Sequence, residues 1–412
     1  MLMSSIIEPI AFRSRRQGNI AGSPWHTPSH TSSPLLYYLF VPLVKQYHIL
    51  NIFTYITFRA AGAAVTSIVL SFVVGPVILR RLDNAANYQV VREGTPEAHA
   101  LKTKTPTMGG LIFLFSALVS TLLWARVFSH YVMLALIVTI GMGVIGFLDD
   151  YLKLKQRRLG QKNEGLVERY KLIGQVTIGL LLGFYLWASP LSPNLAGGST
   201  TLPFYKYLLV VFVPTILYVP WTTFVLVGVS NAVNFTDGLD GLAAGLSAIA
   251  FATLGIFAYL IGRVDATRYL GIFYLQHSGE LTIYCLAMVG ALIGFLWYNT
   301  YPAQVFMGDT GSLALGGAIG AVAILLKSEF LLLPIGIVFF AEMMSVVLQR
   351  FVFKYRKKRF GLEYAQQHRV FLRAPLHHHF EVKGWSEQQV VVRFWIIGII
   401  GAFIAISTLK VR

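Results

Sequence analysis

Long apolar stretches separated by short polar ones organise this chain. Read with a window of about 20 residues, the length an α-helix needs to cross hydrocarbon, ten stretches stand out. They lie near 60–79, 107–125, 131–148, 172–188, 207–229, 238–261, 281–298, 312–326, 331–348 and 391–409. Most hold no charge, so the pattern predicts an all-α, polytopic integral membrane protein of about ten transmembrane helices. Residues 35–58 are apolar as well, but Lys45, His48 and Arg59 interrupt them, which predicts a segment lying at the interface rather than an eleventh span.

The polar connections set an orientation. Connections 80–106, 149–171 and 349–390 hold five, seven and nine Lys and Arg, and 230–237 and 299–311 hold none. The alternate connections hold only Arg126, Lys206, Arg263, Arg268 and Lys327. Basic loops stay in the cytoplasm. The odd-numbered connections are therefore expected to be cytoplasmic and, with an even number of spans, both termini periplasmic. Residues 1–34 are rich in Ser, Thr, Pro and His, and RSRR at 13–16 precedes no long apolar run, which argues against a cleaved signal peptide. They are expected to form a disordered extension ahead of a single transmembrane domain over 35–412.

Composition narrows the function classes. Of 412 residues 55% are hydrophobic and only 13% charged, against about a quarter charged in a soluble protein. The net charge of +16 would fit nucleic acid, but basic cytoplasmic loops account for it, and no nucleic-acid partner is expected. One cysteine, Cys285, excludes a disulfide framework and a thiolate metal site.

The acids are placed unusually. Five of the seven aspartates sit at the cytoplasmic ends of predicted spans: Asp149 and Asp150 in GFLDDYLK, Asp237 and Asp240 in NAVNFTDGLDGL, and Asp309 in FMGDTGSL. A carboxylate costs about 2–3 kcal/mol at the centre of a span and less near its ends. Helix capping could account for Asp237 or Asp309, which precede spans. It does not account for Asp149 and Asp150, which end one, and a functional role is the better reading of that pair. Asn231, Asn234, Asp237 and Asp240 follow i, i+3 spacing, which on a helical turn would make one polar ridge.

Carboxylates without thiols describe a site for a hard cation such as Mg²⁺. Cations lie close in sequence. Lys102 and Lys104 precede the second span, where Gly109 and Gly110 would let backbone approach a phosphate, and Lys153, Lys155, Arg169 and Lys171 flank the paired aspartates. In APLHHHFEVKGW, adjacent His377, His378 and His379 cannot all face one ion, so they are read as hydrogen-bond donors to phosphate or proton shuttles rather than zinc ligands. RFVFKYRKKRF at 350–360 reads as an interfacial anchor, with an anionic-lipid surface as the functional alternative. Together these features predict transfer of a phosphorylated group onto a lipid at a membrane-embedded carboxylate site.

From about residue 35 onward the chain resembles the phospho-N-acetylmuramoyl-pentapeptide transferases, members of the polyprenyl-phosphate N-acetylhexosamine-1-phosphate transferase superfamily. The motifs that carry the resemblance are TPTMGG, GFLDDYLK, NAVNFTDGLDGL, FLWYNTYPAQVFMGDTGSLALGG, APLHHHFEVKGW and the terminal VRFWII…TLKVR. It implies a homodimer of ten-span protomers in the bacterial inner membrane. The implied reaction moves phospho-MurNAc-pentapeptide from its UDP carrier to undecaprenyl phosphate with Mg²⁺, forming lipid I and UMP. It also implies Asp309 as the Mg²⁺ ligand, with Asp149 and Asp150 as further candidates, and Asp149, Asp150, Asp309, Lys102 and His378 as catalytic. Lys102, Thr107, Lys153, Asn231, Asn234, Asp237, Asp240 and the three histidines would bind substrate. Lys104 stands where the family commonly has glycine.

Two alternatives compete. A polyprenyl-phosphate GlcNAc-1-phosphate transferase would share the paired aspartates but lack the HHHFE signature. An ion-coupled transporter would carry its acids near the mid-bilayer on broken helices.

Overall fold

The computed structural model describes residues 35–84, 105–159, 165–191, 198–202, 209–211 and 217–410. The predicted extension 1–34 lies outside them. Ten long helices form the body: α1 Ile56–Asn84, α2 Gly110–Trp124, α3 His130–Arg158, α4 Glu168–Ala188, α5 Tyr218–Thr236, α6 Leu242–Ile261, α7 Glu280–Asn299, α8 Gly308–Leu325, α9 Ile337–Phe360 and α10 Glu387–Ser407. Residues 35–54 form only short helical turns, in keeping with their interrupted hydrophobicity.

Seven described helices are long and apolar enough to cross a membrane, or eight with the bent pair Glu329–Ile335 and Ile337–Phe360 counted as one. The chain is an all-α polytopic membrane protein. α2, at 15 residues, is shorter, and α5 falls outside the set because Thr222, Thr223, Ser230, Asn231 and Asn234 dilute its apolar run.

Two predicted spans differ in detail. Residues 209–211 of the fifth window form strand β2, which pairs antiparallel with β1 (Ser199–Thr201) in the register Ser199↔Val211 and Thr201↔Leu209. The β-branched Val210 and Val211 suit a strand, and a short apolar run has no period that separates strand from helix. α5 therefore starts later, with Pro220 tolerated in its first turn, and ends later, taking Asn231 and Asn234 into the helix. The ninth window bends by 86° at Gly336.

α8 is the centre of the bundle. Its apolar window is 89% buried, against 22% for α1 and 28% for α4. Without a hydrophobic drive between helices in lipid, small residues permit the close packing that holds them together. α8 reads GDTGSLALGGAIGAVAIL, and a Cβ on Gly316 would meet Ser230 of α5 while one on Gly317 would meet Met142 of α3. The reverse contact is tighter: a Cβ on Gly146 of α3 would fall on the backbone carbonyl of Asp309.

The far end of α8 is clamped by the hairpin. Lys327, in a left-handed turn at φ 55°, offers its carbonyl to Thr201 N at 3.0 Å and Thr201 Oγ1 at 2.6 Å. Its ammonium donates to Tyr218 OH at 2.9 Å and lies 4.4 Å over that ring. Thr200 donates to buried Glu329. Burial outweighs the attraction of Glu329 and lowers the Lys327 pKa to about 8.

The α3–α8 contact predicts that Gly146→Ala lowers stability by about 1–3 kcal/mol through overpacking, read as a lower thermal midpoint in detergent. Gly228→Ala, which meets nothing within 4 Å, is expected to be neutral or to gain up to about 1 kcal/mol from helix propensity. The clamp predicts a pH trend. The unfolded lysine keeps its proton up to 10.5 while the folded one releases it near 8, so over that window the unfolded state binds more protons and stability rises with pH. The midpoint of wild type relative to Lys327→Met should climb between pH 8 and 10; a relative fall would contradict the buried-ammonium account.

Candidate active site

Asp149 and Asp150 lie eight to nine residues before the end of α3, which runs on past the predicted span, and both are buried. Neighbours on a helix diverge by about 100°, so the two carboxylates make different hydrogen bonds. Asp150 turns to the start of α8: its Oδ2 accepts Thr310 N at 2.8 Å and Thr310 Oγ1 at 2.7 Å, and its Oδ1 accepts Asp309 N at 3.3 Å. It caps a helix after all, but a different one from its own, which sequence spacing cannot reveal. Asp149 turns the other way. Its Oδ1 accepts Leu166 N at 2.7 Å and its Oδ2 lies 2.7 Å from Lys153 Nζ, one turn on.

Asp309 closes the group. Its Oδ2 receives Lys153 Nζ at 2.5 Å and Lys171 Nζ at 3.2 Å, and its Oδ1 receives Asn234 Nδ2 at 2.6 Å. Lys171 is also 3.6 Å from Asp149. One oxygen from each of Asp149, Asp150 and Asp309 lies within 4.8 Å of the others, a group able to hold a metal ion. The donors are all carboxylate oxygens, which fits a hard divalent cation.

Backbone shape brings Asp309 here. Gly308 has φ +76°, a left-handed conformation that costs glycine little, and a Cβ there would come within 2.7 Å of Asp150 Oδ2 and 2.9 Å of Thr107 Oγ1. Thr107 thus lines the same turn. The TPTMGG segment is laced to it: Phe306 N donates to Pro106 O at 2.9 Å, Gly109 N to Phe306 O at 2.8 Å and Gly110 N to Met307 O at 2.9 Å. The amides of Gly109 and Gly110 therefore bind protein, which corrects the expectation that these glycines open a path to a phosphate. Lys102 lies outside the described residues.

The predicted polar ridge divides, because α5 ends at Thr236. Asn231 donates to Gln175 of α4 at 2.8 Å. Asn234 faces Asp309 and Ser312. Asp240 accepts from Ala303 N at 3.1 Å, and its own N–H donates to Glu387 at 2.9 Å. Asp237, at the end of α5, has its pKa raised well above its ordinary value, first by desolvation and then by the charges of Asp309, Asp150 and Asp240.

The three histidines also part. His377 is buried, with its ring packed against Gly238; its Nδ1 lies 3.2 Å from Glu342 Oε2 and its amide donates to Glu342 Oε1 at 3.1 Å. His378 Nδ1 is 2.7 Å from Glu381 Oε2, and burial holds its imidazole below the usual range despite that acid. His379 Nδ1 accepts from Leu372 N at 3.1 Å. Sequence reading missed Glu342, Thr310 and Gln175. An acid inside the apolar window of α9 was a visible signal for Glu342; Thr310 and Gln175 had none.

Comparison with known proteins places this arrangement. Residues 132–327 match the model of glycosyl transferase family 4, a stretch that contains all three clustered carboxylates. The phospho-N-acetylmuramoyl-pentapeptide-transferase of Gemmatimonas aurantiaca is 66% identical over 383 residues, covering 92% of this chain and all of that protein. Those of Syntrophus aciditrophicus and Chlorobium chlorochromatii are 47% and 46% identical, each over 92% of this chain and their own full length. With an ordered set of motifs, a carboxylate cluster where two of them meet and relatives matched along their whole length, this chain belongs to the phospho-N-acetylmuramoyl-pentapeptide-transferase family.

Proposed function

We propose that this enzyme transfers phospho-MurNAc-pentapeptide from UDP-MurNAc-pentapeptide to undecaprenyl phosphate, giving lipid I and UMP. The observation that carries the proposal is the meeting of Asp149, Asp150 and Asp309 with Lys153 and Lys171 at one end of the bundle. An oxygen of the lipid phosphate attacks the sugar-bearing phosphorus of the diphosphate; a new P–O–P link forms, the old one breaks, and UMP leaves with the bridging oxygen. One phosphoanhydride replaces another, so positioning and charge neutralisation supply most of the catalysis.

Each residue has a part in this reading. Asp309 and Asp149 would hold Mg²⁺, which would supply positive charge to the phosphate oxygens. Lys153 and Lys171, paired with these acids in the ligand-free protein, turn toward the diphosphate as it enters. Asp149, fixed by Leu166 N, takes the lipid phosphate's proton where one is present. Asp150 is catalytic through Asp309, whose helix it caps. Asp237, held toward its neutral form, offers a hydrogen-bond donor to phosphate or sugar. Lys102, Thr107 and Asn234 bind on the nucleotide side, while Asn231 and Asp240 hold the walls. His378 meets a phosphate oxygen, and His377 and His379 order the loop that presents it. We place this site at the cytoplasmic face of the inner membrane, in a homodimer of ten-span protomers with periplasmic termini, and treat 1–34 as an extension to the 35–412 transferase domain.

The purified full chain with Mg²⁺ should release UMP from UDP-MurNAc-pentapeptide only when undecaprenyl phosphate is present. Asp309→Asn should lower that rate at least about 100-fold, the scale for losing a principal electrostatic stabiliser. Preference for UDP-GlcNAc would replace the substrate assignment. Absence of turnover together with ion-coupled uptake into vesicles would replace the enzyme by a transporter.

A further inference from the structure

α9 carries a single acid, Glu342, in its second turn, and that acid is fully buried. An ionisable side chain sealed inside a membrane-spanning helix is costly and by default marks a functional pairing. Among the described residues both polar neighbours of this carboxylate belong to His377, 35 residues further on. Oε1 accepts the His377 amide at 3.1 Å, and Oε2 lies 3.2 Å from the ring Nδ1.

The two contacts hold different parts of one residue. The amide bond fixes the backbone of His377 in the first turn of the short helix Leu376–Val382, where amides lack partners within their own helix. The ring contact fixes the side chain. A grip on backbone and ring together leaves the imidazole little freedom to turn.

Held in this way, the ring bears on the aspartate turn. A Cβ on Gly238 would fall on His377 Nε2 and come 2.7 Å from Cε1, so the imidazole fills the space a side chain would take. The φ of Gly238 is not left-handed, and what this glycine provides is therefore room for the ring rather than backbone freedom. Gly238 stands between Asp237 and Asp240, and the Asp240 end of the turn is tied separately, to Ala303 N and to Glu387.

His377 also carries its neighbour: the His378 ring lies 4.2 Å from it, inclined at 61°. Farther along the short helix, Phe380 stacks on Trp385 at 4.4 Å and meets Phe394 of α10 edge-on at 5.9 Å. The histidine helix thus has an apolar anchor on α10 and a polar one on α9.

We propose that Glu342 is a positioning residue for the transfer reaction: through His377 it seats the histidine loop against Gly238 and holds Asp237 and His378 in place. The inference rests on the function proposed above. Fully buried, Glu342 acts on geometry and not on the reacting atoms.

Steady-state UMP release by the full chain in detergent, assayed below each variant's thermal midpoint, tests this. Glu342→Gln keeps the shape but offers one acceptor where there were two. Its kcat should fall about 10- to 100-fold, the scale of one hydrogen bond to a charged group expressed in the transition state. KM for UDP-MurNAc-pentapeptide should stay within about threefold, because Thr107 and Asn234 on the nucleotide side make their contacts elsewhere. Gly238→Ala crowds the same ring with Glu342 intact and should lower kcat as well. In a His377→Ala background neither substitution should cost more than about threefold further, whereas independent effects multiply. Wild-type kcat in either single variant, or full multiplication with His377→Ala, overturns the assignment. A Glu342→Gln chain that does not hold its fold leaves Gly238→Ala, alone and with His377→Ala, to decide by the same criteria. A wild type that releases no UMP overturns the transferase reading and this role with it, an outcome distinct from an active wild type with indifferent variants.

Discussion

Asp150 reaching from α3 to the amides at the start of α8 organises the catalytic end of this molecule. Asp150 stands more than two turns short of the end of α3, too far for that helix's own terminus to oppose it, and at the N-terminus of the next helix it meets a favourable dipole. The contact forms because Gly146, one turn earlier, lets α3 lie on the backbone of Asp309. Two consequences follow together. The start of α8 is fixed, and Asp309 is delivered to Asp149, Lys153 and Lys171 with its own amide satisfied. The site is an outcome of helix packing before it is a set of ligands.

Much of this was legible in the chain, for physical reasons. Apolar length and the cost of buried charge are local properties, so helices were expected near their observed places and the clustered aspartates were expected at one end. What was not legible is tertiary. The capping role of Asp150 depends on a helix beginning 158 residues later. Gly109 and Gly110 were read as leaving room for a ligand, whereas their amides meet Phe306 and Met307, because a glycine pair permits close approach without specifying what approaches. The i, i+3 spacing from Asn231 to Asp240 predicted one ridge, but a helix stop at Thr236 sends its members to α4, α8 and the turn before α8. Val210 and Val211 lay in an apolar window that composition assigns to membrane and hydrogen bonding assigns to a hairpin.

The distribution of charge gains meaning once the site is in place. Around the carboxylates, three acids meet two ammonium groups among the described residues, a local deficit of positive charge that suits a divalent cation. At the other end of α3, Arg59 and Arg126 both lie against the buried Glu280. Net charge alone, at +16, blends these two environments into one number and hides their polarity.

α8 is held at both of its ends, by Asp150 at the first turn and by the Lys327 turn, with its hairpin partners Thr200 and Thr201, at the last. Its middle is enclosed by small-residue contacts on several sides. A rod fixed in this way has little freedom to slide or tilt, so it serves as the reference frame against which other parts move. The outer helices α1 and α4 are far less enclosed, with 22% and 28% of their apolar windows buried. The bundle is then a loose rim about a fixed axle, and Asp309 is mounted on the axle.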